Sequence, residues 1–478
     1  MPNTTGTASP PTLGVPTRIV ILGGGFAGVI TTRRLEKLVG SRRDVEIVLV
    51  SRDNFFLITP LLFEACSGTL ELRHCSQPIR PFLTRARFIE ATVARIDLDG
   101  RTISLTVPEG TVQDLAFDHL VLALGAKTNE RLIPGSAQAF TFKTVADAIV
   151  LRNHLIERFE RADVETDPGR KRQLLTVVVI GAGLVGTELT GELTAFVDEI
   201  VRWYHNIRRE EVRFHLIEAG PRILGEVDPP LAAHAAKVLT KRGVDIRTQT
   251  PVKGIDQERV TVSDEVIEAS TIVLSAGIEP NPLVAALPVE KDRHGRIIVD
   301  ATMRSASRPS IWGLGDCAAI PDPSGKPYPS LAQHAVREAK ALAHNIARVL
   351  HGQQPRPFVY SQLGVMAALG HFQAIGRVTG IPLTGFPAWW TWRTYYLFQM
   401  PRWSRRIRIM IDWTVALFFR PDIVKVDLAV ESRQLERACA AGADAPVRVV
   451  SGEATRPRLT ERHEPAPMAA SRGGTSSP

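Results

Sequence analysis

Two apolar runs, each ending in a glycine-rich turn, dominate the hydrophobic pattern of the chain. The first covers residues 18–22 and the second residues 176–180, and a helical periodicity follows each turn. Short apolar runs bounded by glycine predict buried strands. A further strand is predicted at residues 45–50 after the first turn and at residues 212–217 after the second. Each turn is therefore predicted to lie within a βαβ unit, and the architecture is duplicated.

Three more apolar runs end in small residues. Residues 120–126 and residues 271–277 are predicted to return the chain beneath a bound nucleotide, one run in each unit. Residues 310–317 lead into a predicted helix over residues 331–350, which brings the chain back to the first unit. We therefore predict an α/β fold with two Rossmann-like dinucleotide-binding domains, the first discontinuous and the second inserted into it.

Both turns have the GxGxxG spacing. The first glycine permits the tight turn, the second lets the backbone approach a pyrophosphate, and the third lets the helix pack on the strand. The N-terminus of the following helix supplies an anion site. Such glycines can also serve turn geometry alone, but the strand-turn-helix context and the second copy favour a nucleotide. The candidate cofactor-binding glycines are Gly23, Gly25 and Gly28 in the first turn and Gly181, Gly183 and Gly186 in the second.

The residue that ends the second strand differs between the two units. In the second unit it is Glu218, placed where ribose hydroxyls are expected, and its carboxylate favours NADH because it would repel the 2′-phosphate of NADPH. Two alternatives stay open: the nearby Arg222 could accept that phosphate, and Glu218 could be a plain exposed strand end. In the first unit the matching residue is Ser51, so a hydroxyl would replace the carboxylate, and Arg52 could instead face a phosphate.

Composition narrows the class of protein. The 478 residues are 44% hydrophobic and 23% charged, enough for two or three domains with buried cores. Four scattered cysteines contain no CxxC pair, so no disulfide framework, iron–sulfur site or other metal site is predicted. No apolar run is long enough to cross a bilayer, and residues 1–16 do not have the pattern of a secretory signal. The net charge of +8 favours an anionic partner.

Aromatic and basic residues concentrate between residues 386 and 420. Five of the seven tryptophans and six arginines lie there, against one acid, Asp412. This composition is typical of an interfacial membrane element whose arginines meet anionic lipid headgroups. A homodimer interface, or a helical pair packed on the first domain, has the same composition. Nucleic acid is the weaker interpretation, since no recognised binding module accompanies these residues.

Several segments together resemble type II NADH dehydrogenases. Residues 54–69 (Asn-Phe-Phe-Leu-Ile-Thr-Pro-Leu-Leu-Phe-Glu-Ala-Cys-Ser-Gly-Thr) follow the first unit directly and resemble the flavin-side segment of that family. Further matches lie at residues 123–126, 133–135, 181–192, 276–282, 313–318 and 332–333. The resemblance implies FAD-dependent oxidation of NADH, with two-electron transfer to a membrane quinone and no proton pumping. It also implies a peripheral enzyme at the cytoplasmic face of the membrane.

The resemblance gives the predicted domains their names. The FAD-binding domain covers residues 17–135 and 284–350, and the NAD(H)-binding domain is inserted at residues 136–283. Residues 351–440 form the C-terminal region, at a membrane or a dimer interface. Residues 1–16 and 441–478 are predicted to be disordered, the tail because it is rich in Pro, Ser, Gly and Ala.

Candidate flavin and acceptor residues follow from the same resemblance. It implies that Asp316 binds the ribityl-phosphate region of FAD, that Thr59 and Pro60 lie near the isoalloxazine, and that Gln333 lies beside the flavin at the quinone site. Asp316 could instead cap the following turn, and Gln333 could be an exposed helix residue. Two glycines of the matching segments complete the cofactor-binding candidates, Gly125 and Gly277.

Two acids and one substitution bear on the acceptor chemistry. Glu188 and Glu192 share one face of the helix after the second turn, and the resemblance makes Glu188 a candidate proton carrier to the quinone. An acid near a helix start can also simply oppose the helix dipole. Family members commonly carry a second glutamine four residues beyond the first, where this chain has Arg337. Arg337 could hydrogen-bond a quinone carbonyl or pair with an acid such as Glu338, and His334 lies within the same motif.

Other functions were weighed against this one. A disulfide reductase needs a close redox cysteine pair, and Cys66 and Cys75 are too far apart. A sulfide:quinone oxidoreductase also needs cysteines facing the flavin, for which Cys66, Cys75 and Cys317 are the candidates. From a different class, the chain could be a flavin-bearing NADH sensor in which Arg337 has displaced the acceptor site. A flavoprotein reductase with another acceptor is the remaining alternative.

Overall fold

The computed structural model describes residues 16–40, 42–361, 364–400, 402–419 and 423–425. The rest of the predicted disordered N-terminus, the predicted disordered tail, residues 426–440 of the C-terminal region and Cys439 lie outside the described residues. So does Arg420 at the end of the aromatic and basic stretch.

The α-helices of the described chain are, in order, α1 (Phe26–Val39), α2 (Leu62–Cys66), α3 (Leu72–Cys75), α4 (Val145–Val164), α5 (Pro168–Leu174), α6 (Leu184–Ile200), α7 (Pro229–Lys241), α8 (Pro282–Ala286), α9 (Ala332–Leu350), α10 (Gly385–Gln399) and α11 (Trp403–Phe418). The strands are β1 (Thr17–Leu22), β2 (Val45–Ser51), β3 (Phe55–Leu57), β4 (Ser76–Pro78), β5 (Arg87–Glu90), β6 (Thr92–Asp97), β7 (Thr102–Thr106), β8 (Val112–Ala116), β9 (His119–Leu122), β10 (Ala126–Thr128), β11 (Thr176–Ile180), β12 (Arg213–Ile217), β13 (Val244–Arg247), β14 (Val252–Asp256), β15 (Arg259–Val262), β16 (Glu265–Glu268), β17 (Thr271–Leu274), β18 (Ile278–Pro280), β19 (Ile297–Ile298), β20 (Ile311–Gly313), β21 (Ala318–Ala319), β22 (Met366–Ala368), β23 (Ala374–Val378) and β24 (Ile381–Thr384).

The first glycine turn follows the central strand of a five-stranded parallel sheet with the order β20-β9-β1-β2-β5. Residues 19–22 of β1 are buried, because helices α1 and α9, packed on each other, help to cover this sheet. Strand β20 comes from a part of the chain that follows the second unit. The chain therefore returns to the first sheet, as the predicted discontinuous domain requires, while the predicted domain boundaries stay a prediction.

The second glycine turn follows β11 in a four-stranded parallel sheet with the order β13-β12-β11-β17. All five residues of β11 are buried. In both sheets the glycine-turn strand has neighbours on both sides, and the strand order reverses there. Ligands bind at such a switch point, outside the carboxyl ends of the strands.

Glycine shortens two of the predicted apolar strands. The run at residues 120–126 is divided into β9 and β10, and Gly125 between them has φ +65°. The run at residues 271–277 is divided in the same way into β17 and β18, with Gly277 at φ +69°. Strands β10 and β18 pair with each other in antiparallel fashion. The two turns thus bring the carboxyl ends of the two parallel sheets together.

The C-terminal helices pack beside a small antiparallel sheet, β22-β23-β24. Helix α10 lies on this sheet, and α11 contacts both α10 and α3. Within the described residues, no helix is both long enough and apolar enough to cross a membrane. The α/β architecture is confirmed, and the membrane role of this region is taken up below as a proposal.

Candidate functional site

The first turn combines close backbone packing with an open face. Gly23 has φ +115°, and a Cβ on Gly28 would overlap the carbonyl oxygen of Gly23. A Cβ on Gly25, by contrast, would meet nothing within 4 Å. Helix α1 begins directly after Gly25 and has no side-chain cap there. Its first N–H groups and the space above Gly25 therefore fit an anionic group such as a pyrophosphate.

The second turn has the same construction. Gly181 has φ +97°, and a Cβ on Gly186 would overlap the carbonyl oxygen of Gly181. Helix α6 begins after Gly183 without a side-chain cap. Gly183 opens onto a cleft of about 430 Å³ that Glu218 and Arg222 also line. This cleft is the larger of the two cavities described and lies where an adenosine is expected.

Glu218 is held against the second turn rather than standing free at the strand end. Its Oε2 accepts a hydrogen bond from the backbone N of Ala182 at 2.7 Å, and its Oε1 accepts one from the backbone N of Gly220 at 2.8 Å. Arg222 is occupied within its own loop, where it donates to the carbonyl oxygens of Leu224, Gly225 and Val227. The rim of the cleft therefore presents a fixed carboxylate beside an engaged guanidinium.

The corresponding position in the first unit is buried and neutral. Ser51 ends β2, and its hydroxyl accepts a hydrogen bond from the backbone N of Asp53 at 3.3 Å. A Cβ on Gly24 would overlap the Ser51 hydroxyl, so the serine packs directly under the turn. The guanidinium of Arg52 is exposed and pairs with Asp53 at 3.2 Å.

The start of helix α9 brings the predicted acceptor residues together. Nη1 of Arg337 donates to the carbonyl oxygen of Gln333 at 3.0 Å, and the guanidinium lies over the ring of Tyr360, 4.5 Å from its centroid. The hydroxyl of Tyr360 lies 3.4 Å from Oε1 of Gln333. Arg337 thus does not take up the predicted pairing with Glu338, because that carboxylate turns inward. Tyr360 is a member of this site that sequence reasoning missed.

Asp316 and Glu338 meet where β20 ends. Asp316 lies in a short 3-10 helix, and it lines a small cavity with Glu338 and His334. Oε2 of Glu338 accepts a hydrogen bond from the backbone N of Gly315 at 2.8 Å. Burial, with the charge of Asp316, raises the pKa of Glu338 to about 7. His334 is 3% exposed, and its Nδ1 has no hydrogen-bond partner among the described atoms. An orphaned polar atom in this cavity fits a ligand.

The flavin-side segment places Thr59 and Pro60 in a 3-10 helix that follows β3, and both are partly buried. Helix α2 comes directly after them. These two residues lie where the resemblance expects them along the chain, and their contact with a flavin stays a prediction.

Glu188 is buried inside the molecule, 7% exposed, one turn into α6. Its Oε1 accepts a hydrogen bond from the backbone N of Ala368 in β22 at 2.8 Å. Burial raises the pKa of Glu188 to about 8. This tertiary hydrogen bond and the raised pKa argue against an acid that merely opposes the helix dipole. A group that titrates near neutrality suits proton transfer.

A buried ion pair beside Glu188 was not found by sequence reasoning. Oε1 of Glu64 in α2 accepts two hydrogen bonds from Arg393 in α10, at 2.9 Å from Nε and 2.8 Å from Nη2. Oε2 of Glu64 accepts the indole N–H of Trp413 in α11 at 2.6 Å. The only signal in the sequence was an acid inside the apolar stretch at residues 61–66.

The cysteines of the described chain are not arranged for thiol chemistry. Cys66, Cys75 and Cys317 are all buried and unpaired. Burial raises the pKa of Cys66 and of Cys75 to about 12 and that of Cys317 to about 11, so the reactive thiolate is scarce. Among the described residues, no group of three or more His, Cys, Asp or Glu side chains could hold a metal ion.

Comparison with known proteins gives consistent matches. The model of the family "Pyridine nucleotide-disulphide oxidoreductase" matches residues 17–339. A "Probable NADH dehydrogenase" of Dictyostelium discoideum is 32% identical, over 85% of this chain and 90% of the relative. The "Type II NADH:quinone oxidoreductase Ndh" of Mycobacterium tuberculosis is 30% identical, over 83% of this chain and 87% of the relative.

Solved structures share the fold at lower sequence identity. NDH2 from Plasmodium falciparum in complex with NADH superposes with a TM-score of 0.79 at 20% identity, over 86% of this chain and 100% of that chain. A sulfide:quinone oxidoreductase from Aquifex aeolicus superposes with a TM-score of 0.64 at 20% identity, over 86% of this chain and 96% of that chain.

Proposed function

The chain belongs to the pyridine nucleotide-disulphide oxidoreductase family, and within it to the type II NADH:quinone oxidoreductases, and from this membership we propose how its own residues carry out the reaction. The enzyme oxidises NADH with FAD and passes two electrons to a quinone without pumping protons. One observation carries the assignment of residues: the helix that begins at the second glycine turn also carries the buried acid Glu188.

FAD fits the first unit, and when bound it accepts the hydride of NADH and supplies the electrons for the quinone. The uncapped start of α1 and the open face at Gly25 would hold its pyrophosphate. Ser51 would meet its adenosine ribose and Asp316 its ribityl-phosphate region. Lys143, whose pKa burial lowers while Asp316 opposes that effect, lies close enough to Asp316 to limit local negative charge.

NADH fits the second unit. The start of α6 at Gly183 would hold its pyrophosphate, and the fixed carboxylate of Glu218 would accept hydrogen bonds from the ribose hydroxyls. Because Arg222 donates to three carbonyl oxygens of its own loop, it is not poised to accept a 2′-phosphate. This geometry supports NADH as the preferred electron donor.

The quinone site lies at the start of α9. Helix α9 also begins without a side-chain cap, so its first N–H groups, Gln333 and Arg337 can donate hydrogen bonds to a quinone carbonyl. Arg337 is anchored on Tyr360 rather than neutralised by a carboxylate, and it keeps donors beyond the one given to Gln333. Glu188 would supply a proton to the quinone oxygen, which becomes basic as the electrons arrive.

The decisive measurement is stopped-flow absorbance of the purified yellow protein. We expect fast flavin bleaching by NADH, slower bleaching by NADPH, and fast reoxidation by a soluble quinone compared with oxygen. Gln333→Ala should slow reoxidation by quinone and leave bleaching by NADH unchanged, and the exposed Gln113 provides the control Gln113→Ala. Bleaching without reoxidation by quinone would instead support the NADH sensor, or another acceptor.

The C-terminal helix pair, α10 and α11, forms the surface that meets the membrane. Large apolar side chains are exposed along both helices, among them Trp390 at 60%, Trp403 at 70% and Phe418 at 78%. Arginines 402, 405, 406 and 408 lie on the same helix pair or directly beside it. Exposed aromatic residues beside arginine suit the boundary between lipid headgroups and acyl chains, where a quinone substrate dissolves.

Vesicle flotation tests this surface. The enzyme should float with vesicles that contain anionic lipid and bind neutral vesicles less, and Trp403→Glu should abolish flotation. Trp203→Glu is the matched control, because Trp203 is 57% exposed in a 3-10 helix after α6, outside the helix pair. If Trp403→Glu converts a dimer to a monomer in light scattering and leaves flotation intact, the surface is a dimer interface.

A further inference from the structure

Three glutamates lie buried where the C-terminal helices cover α2 and α6. Glu64, Glu188 and Glu192 are each 7% exposed or less, on two helices that contact one another. Arg393 of α10, itself 5% exposed, is the cation that hydrogen-bonds a carboxylate of this cluster. A buried charge without a partner costs several kcal/mol, so the number of charges here is limited.

Counting partners shows which acids can be ionised. Glu64 holds Arg393 through two nitrogens and also accepts the indole N–H of Trp413, so its charge is satisfied. Arg242, the other guanidinium that faces Glu192, donates to backbone carbonyl oxygens of Gly191, Leu369 and His371. Neither arginine is left to pair with Glu192, which therefore has reason to be neutral.

The hydrogen bonds around Glu192 suit a protonated carboxyl. The Ser67 hydroxyl lies 2.6 Å from Oε1 of Glu192 and 3.0 Å from the carbonyl oxygen of Glu64. A hydroxyl has one hydrogen and cannot donate to both oxygens. If Glu192 is protonated, its carboxyl can donate to Ser67 while Ser67 donates to Glu64, and both contacts are satisfied.

We infer that Glu192 is a second proton-holding residue beside Glu188, and that Arg393 of α10, through its ion pair with Glu64, is a positioning residue that keeps Glu192 neutral. This inference deepens the proposed function and rests on it. The groups that face the pair are Glu64 of α2, Arg242 after α7, Arg393, Trp392 and Tyr396 of α10, and, beside Cys66, Arg152 of α4. Burial raises the pKa of Glu192 to about 7, with Glu64 adding to the rise and Arg393 opposing it.

Two adjacent neutral acids suit the stoichiometry of the reaction. NADH delivers two electrons and one proton as a hydride, whereas a quinone takes two electrons and two protons to become a quinol. The second proton comes from solvent. A proton given up by Glu188 can be replaced from Glu192, one helical turn away, and Glu192 is then recharged from solvent. The C-terminal helices supply the arginine that sets this charge balance.

The test is infrared difference spectroscopy of protonated carboxyl groups in the flavin-loaded enzyme, titrated from pH ~5 to ~9. Glu188→Gln and Glu192→Gln should each remove one titrating band, and the two bands should differ. Ser67→Ala should shift only the Glu192 band to higher frequency, because that carboxyl loses its hydrogen-bond partner. This second variant keeps the test decisive if Glu192→Gln does not fold.

Glu64→Gln tests the role of Arg393 with a defined sign. Removing the Glu64 charge leaves Arg393 facing Glu192, so the Glu192 carboxylate is stabilised and its band should titrate about one pH unit or more lower. A merely structural change that admits water would lower both bands together, whereas we expect the Glu188 band to move less.

Two results would overturn the inference: no protonated band lost in Glu192→Gln or shifted in Ser67→Ala near pH ~6, or a Glu192 band in Glu64→Gln that titrates at the same or a higher pH. The bands are read without quinone. Failure of quinone turnover therefore counts against the proposed function, and failure of the bands counts against this inference.

Discussion

The two glycine turns are nearly the same structure and lead to different chemistry. In both, the first glycine has a positive φ, the third packs on the carbonyl of the first, and the second faces open space. The helices that follow diverge. Counted from the second glycine of each turn, the positions of Glu188 and Glu192 in α6 correspond to Ile30 and Arg34 in α1.

The difference shows that the turn specifies a phosphate site and the helix behind it specifies the rest. Arg34 is exposed and lies 2.9 Å from His344 of α9, so α1 contributes to packing. Helix α6 is covered by β22 and contacts α2, so its two acids are shielded from water and can hold protons. A shared fingerprint therefore predicts binding, and burial of the neighbouring positions predicts chemistry.

The strongest way to separate the turns is to add one methyl group to each. Gly186→Ala should leave the protein yellow and abolish fast reduction by NADH, whereas Gly28→Ala should yield protein depleted of flavin. Each new Cβ meets a backbone carbonyl, and overpacking of this kind costs about 1–3 kcal/mol. Flavin absorbance per protein and stopped-flow bleaching measure both effects. Gly25→Ala is the control, because its Cβ meets no protein atom. It should keep thermal stability and weaken flavin binding only.

Such local features are what the sequence alone could predict. The glycine turns, the strands near residues 45–50 and 212–217, and helix α9 follow from patterns within a few residues, and the structure has them within one residue of the predicted ends. Gly125 and Gly277 ended two predicted strands early because a positive φ interrupts the extended backbone.

Long-range pairing could not be predicted in the same way. Glu64 and Arg393 are separated by 329 positions, and nothing in the local sequence of either indicates the other. The placement of Arg337 on Tyr360 depends likewise on a loop that follows α9, so the expected pairing with Glu338 was wrong. Such contacts form only when separate elements pack, and propensity and periodicity do not record them.

The next largest effect is expected from the acid that α6 has and α1 lacks. Glu188→Gln should slow flavin reoxidation by quinone by about 100-fold or more, within the range of general acid catalysis, and leave reduction by NADH nearly unchanged. The pKa of Glu188 is raised to about 8, so the proton is held below that pH and lost above it. Wild-type reoxidation should therefore fall as pH rises through about 8, and the variant should lack that fall. A variant profile with the same alkaline limb would assign the proton to another group.

A smaller effect should come from the strand-end acid of the second unit. Glu218→Gln keeps the shape of the side chain and removes its charge, which weakens its hydrogen bonds to the turn and to a ribose. Hydrogen bonds to charged groups contribute about 1.5–3 kcal/mol, so the Kd for NADH should rise about 10-fold or more. The preference for NADH over NADPH should narrow, because the charge that repels a 2′-phosphate is gone. Rapid reduction kinetics at varied NADH and NADPH give both values, and an unchanged preference would contradict a ribose role for Glu218.

The smallest effect is expected at the matching position of the first unit. Ser51→Ala removes one neutral hydrogen bond, from the backbone N of Asp53, which contributes about 1 kcal/mol. Flavin binding should therefore weaken only a few-fold, measured by flavin release on dilution. The uncapped start of α1 would still hold the pyrophosphate in this variant. If Ser51→Ala lost FAD as readily as Gly28→Ala, the hydroxyl would be as important to its unit as the carboxylate of Glu218 is to the other. The two turns would then differ less in how they hold ribose than their residues indicate.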